Sequence, residues 1–111
     1  MKNQTIETAQ ELMLSELATL TEKGIASRIL AKTTGGNITL FAFDQGQELS
    51  EHSAPFDALV MVLEGELKLV IDGKPVIAHP GSIVSMPANI PHALFATQAS
   101  RMLLIMLREI K

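Results

Sequence analysis

Residues 58–63, ALVMVL, and 102–107, MLLIML, are apolar at every position. A strand in an antiparallel sheet normally turns one face to water and alternates, so each of these needs cover on both faces. Between and around them lie IASRILAKTT (25–34), NITLFAFDQGQEL (37–49), GELKLVIDGKPVIA (65–78), SIVSMP (82–87) and HALFAT (92–97), with RMLLIMLREI (101–110) last. These runs are short, branched or alternating, and they are punctuated by TTGG, DQGQ, DGKP, HPG and PANIP. That grammar predicts an all-β sandwich or barrel. The clearest hairpin is ELKLVIDGKPVIA, where Leu67, Leu69 and Ile71 alternate with Glu66, Lys68 and Val70. Asp72-Gly73 supplies the two positive φ values of a type I′ turn, and Pro75, lacking an amide donor, points to an edge position or a strand start.

The beginning of the chain follows a different period. In TIETAQELMLSELATLTE (5–22), Ile6, Ala9, Met13, Leu17 and Leu20 recur at intervals of three and four, which predicts an amphipathic helix. Thr5 or Thr8 is placed to cap its start and Gly24 to end it. Its acidic face, Glu7, Glu11, Glu16 and Glu22, reads as solvated surface. The expected organisation is a helical segment over residues 1–24 followed by one barrel domain over 25–111. The helix would cover one doubly apolar patch, and a second subunit would cover the other, because exposed apolar strands invite aggregation. A homodimer is therefore expected.

Composition narrows the function classes. A chain of 111 residues encloses one core, so a single domain without a second catalytic one is expected. It is 47% hydrophobic, yet its only aromatics are four Phe, so the core is aliphatic. A formal charge of −3 with no basic cluster supplies neither the charge nor the stacking surface that nucleic acid or an anionic membrane requires. There is no cysteine, and no run approaches the roughly 20 apolar residues of a membrane span. Nor is there a basic start followed by an apolar run and a cleavage site, so a soluble cytoplasmic protein is expected.

The chemistry rests on three histidines. His79, in the turn IAHPGS, reads as solvated. His52 and His92 lie forty residues apart, each at the opening of a strand with proline nearby, and a closed barrel can bring them together. Paired imidazoles suit Fe, Mn, Ni, Cu or Zn, usually with a third protein ligand. The nearby carboxylates are Glu48, Glu51 and Asp57. Regular alternation puts Glu48 on the side of His52, and Pro55 interrupts the parity enough to keep Asp57 in play. Met61, Met86, Met102 and Met106 are either cavity lining or core and interface filler. Asn89, between Pro87 and Pro91, either presents an amide to a ligand or takes a left-handed turn conformation.

The two histidine segments resemble the motifs of a known family. GQELSEHSAPFDALVMVLEG (46–65) is similar to the first cupin motif, and GSIVSMPANIPHALFA (81–96) is similar to the second, with the fifteen residues between Gly65 and Gly81 typical of compact single-domain bacterial cupins. The resemblance implies a double-stranded β-helix, the cupin jelly-roll barrel, with a short N-terminal helix. It implies that His52 and His92 stand at two ligand positions. Ala54 stands where a further histidine is expected, Ala58 at the closest match to the glutamate with Asp57 one place early, and Asn89 replaces a glycine.

Four readings follow. One divalent transition metal can be held by His52 and His92 with water, or completed by Asp57, Glu48 or a substrate carboxylate. Zinc on two imidazoles and a carboxylate is a second. A metal-free pocket lined by Ala54, Ala58, Met61, Met86 and Asn89 can bind or isomerise a small organic molecule. Lastly, both histidines can be satisfied polar residues of a structural or regulatory dimer. The substrate, and whether the protein is an enzyme, are not encoded in the spacing.

Overall fold

A computed structural model describes residues 5–108. Among the described residues nine strands follow one another: β1 (Ile25–Thr33), β2 (Gly36–Phe43), β3 (Glu48–His52), β4 (Asp57–Glu64), β5 (Leu67–Ile71), β6 (Lys74–Ala78), β7 (Ile83–Met86), β8 (His92–Ala96) and β9 (Ser100–Leu107). They form two antiparallel sheets, β1-β2-β9-β4-β7 and β3-β8-β5-β6, packed face to face as a jelly roll. Neighbours in a sheet are often far apart in sequence, so His52 and His92 meet although forty positions separate them.

The core lies between the sheets. Phe43, Ala58, Val60, Val62, Met86 and Met102 from the first sheet pack against Leu67, Leu69, Ala78, Leu94 and Ala96 from the second. Burying each larger side chain is worth roughly 1.5–3 kcal/mol. Both doubly apolar segments sit side by side in the middle of the first sheet, as β4 and β9. Their even-numbered residues face the core, and their odd-numbered residues face outward, where Leu63 and Leu103 pack with Leu40, Ala42, Ala18, Leu17, Leu14 and Ile6. The N-terminal segment thus covers part of the outer face.

It does so with little helix. The only described helix is α1 (Leu14–Leu17), with no side-chain cap at Met13, in place of the expected 5–22. Ala9 takes φ 58°, which breaks a right-handed helix, and Met13 and Leu20 of the expected stripe stay exposed at 56% and 38%. Helix nucleation is costly. A chain laid along a sheet can bury its apolar residues without it. Here the segment is held by Arg101, whose Nε donates to the Ala18 carbonyl at 3.0 Å while Nη1 meets Glu64 Oε1 at 2.7 Å. Lys23 (φ 57°), rather than Gly24, supplies the left-handed residue before β1.

The expected hairpin turn is present. Asp72 and Gly73 have φ 52° and 80° between β5 and β6, the type I′ signature, and Pro75 lies on edge strand β6. Gly65, between β4 and β5, has φ 81°, and a Cβ there would collide with the Ala99 carbonyl and the Ser100 hydroxyl. Among the described residues no helix is long and apolar enough to cross a membrane.

Candidate functional site

His52 ends β3, His92 begins β8, and the two are directly opposed across the ladder. Their aim depends on an irregularity. Leu49 pairs with Leu94 and His52 with His92, so three steps on β3 match two on β8. The extra residue is a β-bulge, which reverses the parity of the strand and turns His52 to the side occupied by Leu49. Glu48 is left on the opposite face, correcting the regular alternation that would have put it beside His52. It lines a larger, open depression of about 500 Å³ on the outside of the second sheet, with Glu51, Lys68 and Phe95. That depression contains no histidine.

The imidazole centroids are 4.4 Å apart with the rings inclined at 71°. His52 is exposed, whereas His92 is buried at 6% exposure. Each ring is held the same way. Nδ1 of His52 lies 2.9 Å from the Ser50 carbonyl and Nδ1 of His92 lies 3.1 Å from the Ile90 carbonyl, both two residues back. A carbonyl only accepts, so Nδ1 carries the proton in each ring and the neutral imidazole keeps its lone pair on Nε2. Burial pushes the pKa of His92 below the usual imidazole range; the bond to Ile90 opposes this and the neighbouring His52 adds to it. The inner ring is thus biased toward its neutral, accepting form.

Both rings border a cavity of about 170 Å³ between the sheets. The remaining wall is apolar: Ala54 and Phe56 from the β3–β4 connection, Leu49 and Leu94 from the second sheet, and Ala58, Met86, Met102, Leu104 and Met106 from the first. Ala58 pairs with Met86 on one side and Met106 on the other, so the three form one row across β7, β4 and β9. The Arg108 guanidinium stands over the Phe56 ring at 5.6 Å.

Of the residues singled out in the sequence, His52, His92, Ala54, Ala58 and Met86 border this cavity. Met61 does not, because it has the opposite parity from Ala58 on β4 and faces outward. Asn89 does not either: it takes φ 64° in the turn before β8, and its backbone N–H donates to the Ala54 carbonyl at 2.7 Å. Asp57 is an exposed residue whose Oδ1 accepts from the Ala88 amide at 2.9 Å. These two bonds fasten the turn ahead of His92 to the chain that follows His52. Met102 and Met106 had both roles open and line the cavity. Phe56 was missed, although positions 52, 54, 56 and 58 share one parity. His79 is exposed, with Nε2 3.5 Å from Glu66 Oε1.

A divalent transition ion held by three protein ligands needs one more donor than the pair provides. Among the described residues no group of three His, Cys, Asp or Glu is placed to hold a metal, and Asp57 and Glu48 are used or directed elsewhere. The residues present do not supply the third protein ligand that such a site for a divalent transition ion needs.

The cupin domain family model matches residues 39–107. A conserved protein of unknown function from Streptococcus pyogenes is 36% identical, with a TM-score of 0.91 over 96% of this chain and 94% of that one. A cupin 2 conserved barrel domain protein from Leptotrichia buccalis is 41% identical, with a TM-score of 0.81 over 85% of this chain and 46% of that one, so this chain spans about half its length. A cupin superfamily protein from Desulfitobacterium hafniense is 27% identical, with a TM-score of 0.89 over 98% of this chain and all of that one. No curated protein sequence matches the chain.

Proposed function

The chain belongs to the cupin domain family, and from that premise we propose that it binds a small, mostly apolar molecule in the cavity between its sheets, with the Nε2 atoms of His52 and His92 accepting hydrogen bonds from the ligand. The observation that carries this reading is the composition of the wall: two imidazoles with Nδ1 already satisfied, and apolar side chains around them. Size sets the class of ligand. The volume of about 170 Å³ is close to that of an engineered apolar cavity of about 150 Å³ that accepts benzene. A single ring, or an equally compact aliphatic group, bearing an O–H or N–H donor fits this description.

Phenol and benzene are suitable probes. Phenol should raise the melting temperature more than benzene, the stabilisation reaching about 2.7 kcal/mol at a hundredfold excess over Kd. Ala58→Leu, which fills the cavity, should abolish both shifts, and His92→Asn should remove the advantage of phenol. No shift with either probe, or an undiminished shift in Ala58→Leu, would refute the reading.

We also propose a second copy of the chain as the cover for the rest of the outer face of the first sheet. The cross-strand rows Ile38–Ile105–Leu59 and Leu40–Leu103–Met61–Ile83 make that face apolar. The N-terminal segment packs over Leu40, Leu63 and Leu103, while Ile83 remains 56% exposed.

A further inference from the structure

We propose that the same cavity is a site for a soft monovalent metal ion, Cu(I), bound by Nε2 of His52 and His92 and by the thioethers of Met86 and Met106. The proposal rests on the reading of this cavity as the functional pocket, and it names an ion of a different class from the divalent metals considered above.

The donor set is what separates the classes. Three of the chain's six methionines, Met86, Met102 and Met106, border this one small cavity, and two of them flank Ala58 in a single row. That row belongs to the first sheet and the imidazoles to the second, so the methionine and histidine side chains border the same space from its two sides. Thioethers bind Cu(I) well and compete poorly with water for divalent ions such as Zn(II) and Fe(II), while imidazole serves both classes.

Charge argues in the same direction. Two neutral imidazoles and two thioethers bring no negative charge, and no carboxylate of the described residues joins them. The ion's charge therefore stays uncompensated in an apolar surrounding. The cost of taking an ion out of water is severe and rises with the square of its charge, so a monovalent ion is penalised about a quarter as much as a divalent one. The geometry at the nitrogen side is already set. The rings are 4.4 Å apart, and their Nδ1 bonds to Ser50 and Ile90 fix the tautomer that leaves Nε2 free. Methionine, with three rotatable bonds, supplies the adjustment on the other side.

The test is an anaerobic titration of the purified chain with Cu(I) against bathocuproine disulfonate, beside Zn(II) and Fe(II) titrations, with X-ray absorption on the copper-loaded protein. The expected result is one Cu(I) per chain, held at least tenfold more tightly than either divalent ion, with sulfur in its coordination shell. Met86→Leu with Met106→Leu conserves volume and should weaken Cu(I) at least tenfold and remove the sulfur signal; His52→Asn, at an exposed position, should also weaken it. Absence of Cu(I) binding, equal binding of Zn(II) or Fe(II), or insensitivity to the double Met→Leu change would each overturn the proposal. If phenol still stabilises the protein while Cu(I) does not bind, the copper proposal fails and the pocket stands; if neither binds, both fall.

Discussion

Protonating His92 works against the fold, because burial is the main influence on its ring and it disfavours the charged form. The sign follows from linkage. Above about pH 6.5, the ordinary imidazole value, the ring is neutral in both folded and unfolded chains and titration costs nothing. Below it the unfolded chain takes up a proton that the folded chain resists, so stability falls as pH drops from about 6.5 toward the lowered folded value. Urea midpoints measured across that interval should decline in the parent protein and decline less in His92→Asn, which can keep a donor toward the Ile90 carbonyl. Equal slopes would mean that His92 is not penalised by its surroundings. Gly65 is a second single-residue case. With φ 81° and no room for a Cβ beside Ala99 and Ser100, Gly65→Ala should cost more than the roughly 1–2 kcal/mol of an ordinary left-handed residue, measured as a lowered urea midpoint.

At the scale of elements, the site is assembled by connections as much as by strands. The β3 bulge aims His52 inward, and the turn at 87–91 delivers His92 to its place opposite. That turn is fastened three times: the Ala88 backbone N–H donates to the Asp57 carboxylate, that of Asn89 to the Ala54 carbonyl, and that of Asp72 to the Pro91 carbonyl. Asp57→Ala removes the first fastening only. It should lower stability by about 1 kcal/mol, the usual worth of one such bond, and weaken probe binding in the cavity without changing the melting profile as much as Gly65→Ala does. Binding equal to that of the parent chain would show that the remaining bonds, at Asn89 and Pro91, suffice to place His92. Asp57 thus acts through the backbone before β8, a role its sequence neighbourhood did not reveal because the Ala88 amide is 31 positions away.

For the whole molecule, the outer face of the first sheet is where the proposed second copy would sit. The N-terminal segment covers part of it, using Ile6, Leu14, Leu17 and Ala18. The proposed second copy would cover the rest. Sedimentation at micromolar concentration should report a dimer, and Ile83→Glu, placing a charge at an exposed apolar position, should give monomers that keep the cavity and its phenol response. A monomeric parent protein even at millimolar concentration would rule the dimer out.

Strand alternation, turn chemistry and the two histidine segments made most of this architecture legible in the chain itself. The Asp72-Gly73 turn, the edge position of Pro75 and the doubly apolar character of β4 and β9 are local or periodic features, and the forces behind them act between near neighbours or across a pleat; that β4 and β9 pair with each other is not. The site was only half legible. His52 and His92 could be named, but the bulge that turns His52 inward, the outward parity of Met61 and the diversion of Asp57 to Ala88 depend on which residues meet across the ladder. The N-terminal segment shows the same limit: a helical period is present from 5 to 22, yet a sheet surface offered some of its apolar residues burial along an irregular path with a single helical turn. Periodicity records which faces must leave water; only the packed molecule determines what each face meets.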